Sequence, residues 1–109
     1  MTMNRSIFEI QADFCKAMAS GPRLQIMHVL REQPLRVADI ARATTLSQSV
    51  VSRQLGILRA TGVVNCRRQG NEMIYHLTDE NIGKLCDLVR QLLSDQAQRQ
   101  SHVFENNLA

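Results

Sequence analysis

After Gly62 the chain abandons the helical period that governs its first sixty residues. Val63-Val64-Asn65-Cys66-Arg67-Arg68-Gln69 alternates with period two, breaks at Gly70-Asn71 and resumes as Glu72-Met73-Ile74-Tyr75-His76-Leu77. β-branched residues on both sides of a two-residue Gly-Asn step specify a β-hairpin, because glycine supplies the positive φ that such a turn requires. Helical spacing then returns with Ile82, Leu85, Cys86, Leu88, Val89, Leu92 and Leu93. Thr78 is the expected cap of this last helix, Asp79 and Glu80 suit the positive end of its dipole, and its end is expected near Gln98.

Ahead of the hairpin the helices are punctuated by small residues. Ile7, Ile10, Phe14, Ala17 and Met18 recur at helical spacing, and Ser20-Gly21-Pro22 interrupts them. Pro22 suits the first turn of a second helix, where its missing N–H leaves no bond unmade. That helix carries Leu24, Ile26, Met27, Val29 and Leu30 and must stop before Pro34. A short third helix, Val37–Ala43, turns Val37, Ile40 and Ala41 inward. The turn Thr44-Thr45-Leu46 follows, and Ser47 is the natural N-cap of a helix that reaches Ala60, with Val51, Leu55 and Leu58 on one stripe and Gly62 as terminator. The order is α-α-α-α-β-β-α: a mainly α fold with a β-hairpin wing, which is a winged helix-turn-helix.

With 109 residues, 44% of them hydrophobic, the chain suits one core, assigned to residues 1–98, with 99–109 as a flexible tail. The apolar stretch after Arg5 is broken by Glu9 and Asp13, so no secretory signal is expected, and no span is long enough to cross a bilayer. Cys15, Cys66 and Cys86 fit neither a disulfide framework nor a CxxC motif, which points to a reducing cytoplasm. Net charge is +3, but six arginines against two acids between positions 36 and 72 give that segment +4 and leave −1 elsewhere. A positive field so concentrated suits a polyanionic partner.

The second helix of a helix-turn-helix presents its first turns to base edges in the major groove while the helix before it crosses the backbone. Here that helix offers Gln48, Ser49, Ser52, Arg53 and Gln54. Glutamine pairs bidentately with adenine and arginine with guanine, while serine reaches phosphates or bases. Arg67, Arg68 and Asn71 lie at or near the wing tip, where a narrow minor groove favours cations. Because strand side chains alternate, Arg67 and Arg68 point to opposite faces of a flat wing. Double-stranded promoter DNA is the expected partner.

Several segments in order carry a family resemblance: Met18-Ala19-Ser20-Gly21-Pro22-Arg23-Leu24-Gln25-Ile26, then Leu46-Ser47-Gln48-Ser49-Val50-Val51-Ser52-Arg53-Gln54-Leu55, then Leu58-Arg59-Ala60-Thr61-Gly62-Val63-Val64, then Arg67-Arg68-Gln69-Gly70 and Ile74-Tyr75-His76-Leu77. Over residues 14–93 the chain resembles the ArsR/SmtB family of metal- and stress-responsive repressors. The resemblance implies a homodimer joined by its first and last helices, bound to an imperfect inverted repeat and released by an effector. The apolar surface of Ile7, Ile10, Phe14, Ile82, Leu85, Val89 and Leu92 exceeds what so short a chain needs internally, which independently favours a dimer. Two recognition helices would then meet major grooves about 34 Å apart.

The sequence departs from better-known members at their effector sites. The Cys-x-Cys of arsenic and cadmium sensors is replaced by Arg36 and Ala38. The zinc-sensor positions on the last helix match Asp79, Asn81, Leu92 and Asp95, a set without the imidazoles that zinc favours. The second-helix cysteine of persulfide sensors is matched by His28, and no cysteine follows Cys86. No metal site or cofactor is therefore expected. Cys15 and Cys86, both at the expected seam, leave two alternatives open: a thiol sensor of oxidants, reactive sulfur or trivalent arsenicals, or packing residues in a repressor whose effector binds elsewhere or is absent. Outside this class stands a winged-helix protein-interaction module, which an apolar or acidic recognition helix would mark. An enzyme lacks support, since no nucleophile is paired with a base and no phosphate-binding glycine loop is present.

Overall fold

The computed structural model describes residues 5–108, and side chains through residue 101. Its elements are α1 (Ile7–Ala17), α2 (Gly21–Leu30), β1 (Leu35–Arg36), α3 (Val37–Ala43), α4 (Gln48–Ala60), β2 (Val64–Gln69), β3 (Glu72–Leu77) and α5 (Glu80–Leu108). The winged helix-turn-helix is thus formed as read from the sequence, with one addition. Leu35 and Arg36 pair antiparallel with Tyr75 and Ile74, making a three-stranded sheet in the order β1-β3-β2.

Local chemistry explains most of the boundaries. The Ser6 hydroxyl accepts from the Glu9 amide while the Glu9 carboxylate accepts from the Ser6 amide, a reciprocal box that opens α1. The Ser20 hydroxyl accepts from the Arg23 amide, and Pro22 lies in the first turn of α2. The Ser47 hydroxyl accepts from the Val50 amide at the head of α4. At the other end of α4, the Val63 amide bonds the Leu58 carbonyl and the Gly62 amide bonds that of Arg59, with Gly62 at φ 82°. This left-handed close of the helix is open to glycine and brings Leu58 and Val63, both fully buried, together. At the wing tip Gly70 has φ 63° and Asn71 does not share it, the type II′ pattern.

Two expectations change at α5. Thr78 does not cap it: its hydroxyl donates back to the Gly62 and Val63 carbonyls, tying the base of the wing to the end of α4. Asp79 takes the cap, its carboxylate accepting from the Asn81 amide. The helix also runs on to Leu108 rather than ending near Gln98, since residues 96–108 contain no glycine or proline to stop it.

The core is aliphatic. Ile26, Met27 and Leu30 of α2, Ile40 of α3, Val51, Leu55 and Leu58 of α4, and Val63 and Val64 at the wing base form one cluster with Ala17, Ile82 and Cys86. Ile82, expected at the dimer seam, is 8% exposed and belongs to this core instead. It lies at the start of α5, where that helix still packs on its own domain.

One turn later Cys86 is the last buried residue of α5 among those whose side chains are described. Ile7, Phe8 and Ile10 of α1 and Leu85, Leu88, Val89, Leu92 and Leu93 of α5 are exposed, and Phe14 is half-buried against the core. The radius of gyration is 17.5 Å, and the longest extent is 62 Å. A compact chain of this length would have a radius of about 13 Å. The apolar faces of both helices are therefore left outside the core that the elements between them form.

Candidate nucleic-acid interface

The turn between α3 and α4 is held by side chains before any partner arrives. The Thr44 hydroxyl donates to the Ile40 carbonyl and accepts from the Leu46 amide. Gln25 of α2 reaches across so that its Oε1 accepts from both the amide and the hydroxyl of Thr45. The role of Gln25 was not legible in the sequence, because it depends on a contact between elements twenty positions apart.

From this turn α4 presents Gln48, Ser49, Ser52 and Arg53, all exposed, opposite the buried stripe of Val51, Leu55 and Leu58. Ser47 and Ser49 bring their hydroxyl oxygens to 3.2 Å. Gln54 does not join this arc. It is half-buried on the flank of α4, and its Oε1 accepts from Nη1 of Arg23 at 2.9 Å. Its side-chain oxygen is turned toward α2, unlike the four exposed side chains of the arc.

Arg67, Arg68 and Asn71 are exposed on the wing. Arg67 and Arg68 face opposite sides of β2, and Arg68 folds its Nε onto the Gly70 carbonyl at the tip. The wing is docked to the helix-turn-helix by Arg36, whose Nη1 lies 2.9 and 3.2 Å from the two Glu72 oxygens. Its Nε donates 3.0 Å to Asp39, which Arg42 also contacts. The hydrogen bond from Arg36 holds the Asp39 carboxyl below the ordinary carboxylate range, and Arg42 adds to it.

These pairings sharpen the charge argument. Asp39 and Glu72, the two acids of the basic segment, are both engaged by Arg36. Among the described residues, Arg53, Arg59, Arg67 and Arg68 have no carboxylate within 4.0 Å. Exposed guanidinium groups without acidic partners, on the wing and on α4, beside a protruding polar helix, are chemically matched to a phosphodiester backbone and the bases it carries.

The thiols are placed differently from one another. Cys15 is exposed on α1, Cys66 is half-buried opposite Tyr75 on the wing, and Cys86 is buried in the core. Burial pushes the Cys86 thiol up from its ordinary range, which suppresses the nucleophilic thiolate. Among the described residues no three His, Cys, Asp or Glu side chains cluster as metal ligands would. At the positions matched by resemblance to metal ligands, Arg36 is ion-paired, Asp79 caps α5, and Asp95 accepts from Gln91. Among the described residues no helix is long and apolar enough to cross a membrane.

Known proteins share this arrangement. The family profile described as bacterial regulatory protein, arsR family, matches residues 20–65. The chain is 35% identical over 89 residues to Rv0081, an uncharacterized HTH-type transcriptional regulator of Mycobacterium tuberculosis, covering 81% of this chain and 78% of that protein. The crystal structure of Rv0081 superposes with a TM-score of 0.77 at 31% identity, over 90% of this chain and 99% of the other. A second solved structure is the homodimeric winged helix-turn-helix DNA-binding domain Mb0332 of Mycobacterium bovis, with a TM-score of 0.76 at 28% identity over 90% and 95% of the two chains. A transcriptional repressor SmtB homolog of Synechocystis is 42% identical over 74 residues, covering 68% of this chain and 56% of that protein.

Proposed function

The chain belongs to the arsR family of bacterial regulatory proteins, and from that premise we propose that it is a sequence-specific transcriptional repressor that binds promoter DNA as a homodimer. One observation carries the reading: α4 holds Gln48, Ser49, Ser52 and Arg53 clear of the protein's own chain, beside a wing whose arginines lack acidic partners. Gln48 and Arg53 suit base edges, the serines suit phosphates or bases, and Arg67 and Arg68 suit the phosphates or the adjacent minor groove. Asn71 stands at the tip to meet the same backbone.

Pairing through α1 and α5 is supported by the exposed stripe of Ile7, Ile10, Leu85, Val89 and Leu92, with Phe14 at its edge. An apolar surface of this kind, spread over two projecting helices, is stable in water when a second copy covers it. The solved relative Mb0332 is a homodimer, and the SmtB homolog is a repressor. A palindromic operator follows from the twofold symmetry.

Purified protein is expected to retard a duplex from the promoter of its own locus, with an affinity that falls steeply as salt rises. Absence of retardation at low salt overturns the reading. In sedimentation the chain is expected as a dimer, and Leu92→Glu is expected to dissociate it. For release, the buried, desolvated Cys86 favours packing cysteines over a thiol sensor. The thiol alternative stands only if polysulfide or a trivalent arsenical releases the DNA and the Cys15→Ser, Cys86→Ser double variant does not respond.

A further inference from the structure

Arg23 makes contacts that neither the core nor the DNA-facing surface requires. Its guanidinium donates from Nε to the Ala17 carbonyl, from Nη2 to the Lys16 carbonyl at 3.4 Å and from Nη1 to Gln54 Oε1 at 2.9 Å. The first two acceptors are at the C-terminal end of α1, where the dipole favours a cation; the Lys16 carbonyl also accepts from the Ala19 amide at 3.1 Å. The third is on α4. Arginine only donates, so the Gln54 atom facing it must be the amide oxygen. The backbone of Arg23 is fixed as well, because its amide caps onto Ser20.

One planar group therefore spans the helix proposed for the dimer seam and the helix proposed to read DNA. α1 has little other hold on the body: Ala17 is buried and Phe14 and Met18 are half-buried, while its first turns project. A fork with fixed geometry transmits orientation where a flexible ammonium would not.

We propose that Arg23 is a positioning residue that sets the angle of the recognition helix relative to the dimer seam, acting through Gln54. It holds α1 and α4 in one rigid frame, so that two half-sites are read only at the matching separation. This rests on reading α4 as the DNA-contacting helix and α1 as part of the seam.

The test has two arms. In the free protein, amide exchange at Met18 and Ala19, which close the end of α1, is compared between wild type and Gln54→Met. The bridge predicts faster exchange there by about tenfold, the worth of one hydrogen bond to a charged group. In the second arm, duplexes enriched from a random pool by the wild-type protein are remade with the spacer one base pair longer or shorter. Gln54→Met, Arg23→Met and Arg23→Lys, each checked for an intact thermal transition, are expected to lose most of the preference for the original spacing. Unchanged exchange in Gln54→Met, or full spacing preference in Arg23→Lys, overturns the proposal. A wild-type protein that enriches no duplex removes the repressor reading, and the exchange arm then judges the bridge alone.

Discussion

Arg31 at the end of α2 crosses the surface of α5 to Asp87, its Nη1 donating 2.7 Å to Oδ1, and it passes directly over Gly83. A Cβ built on Gly83 would stand 2.9 Å from Arg31 Cγ, so the path of the arginine depends on the missing side chain.

Gly83→Ala sets two effects against each other. Alanine in a helix interior is favoured over glycine by about 1 kcal/mol. Here the methyl displaces Arg31 and weakens its pair with Asp87. The expected outcome is little or no stabilisation in the wild-type background and a gain approaching about 1 kcal/mol once Arg31→Ala has cleared the path, read by denaturant titration of all four proteins.

The same pair makes an acid-dependent contribution. The Arg31 hydrogen bond holds the Asp87 carboxyl below its ordinary range, with Arg90 assisting. A carboxylate whose folded pKa is lowered adds stability above its unfolded value, near about 3.9, and that stability is lost as pH falls through the lower folded value. Asp87→Asn is therefore expected to lower Tm at neutral pH and to leave it nearly unchanged in strong acid.

The arginines of the interface separate by what they touch. Arg53→Ala is expected to relax base preference at the same position of each half-site. Replacing both Arg67 and Arg68 by Ala removes four cations from the dimer and is expected to weaken all sequences alike and to reduce the slope of log K against log salt by about 4, read from titrations at several salt concentrations.

Cysteine reactivity divides by burial. The Cys86 thiol, held up by desolvation, is expected to react with iodoacetamide at neutral pH much more slowly than a cysteine in the unfolded chain. Raising the pH or adding denaturant is expected to remove the protection, with the modified residue identified by peptide mass.

Much of the architecture was legible because it is written in local chemistry. Ser47 announces α4, Gly62 ends it, and Gly70-Asn71 turns the wing; each acts through its own backbone and hydrogen bonds a few residues away. The strand Leu35–Arg36 was not legible, since two residues carry no period and its partners lie some forty positions on. The exposed arc from Gln48 to Arg53 followed from helical spacing. Gln54 could not be sorted from it, because what draws it aside is Arg23, 31 positions earlier. Ile82 was misplaced for a related reason: spacing puts it on the stripe with Leu85 and Val89, but only packing tells where that stripe leaves the core. Thr78 reads as a cap in sequence, yet the nearby Gly62 and Val63 carbonyls compete for its hydroxyl.

The hydrogen bonds that Gln25 and Thr44 spend on the turn before α4 leave that segment already ordered in the unbound protein. Little conformational entropy remains to be lost there when the groove is entered. Discrimination between one duplex and another is then free to reflect the match of side chains to bases, undiluted by a folding step common to them all.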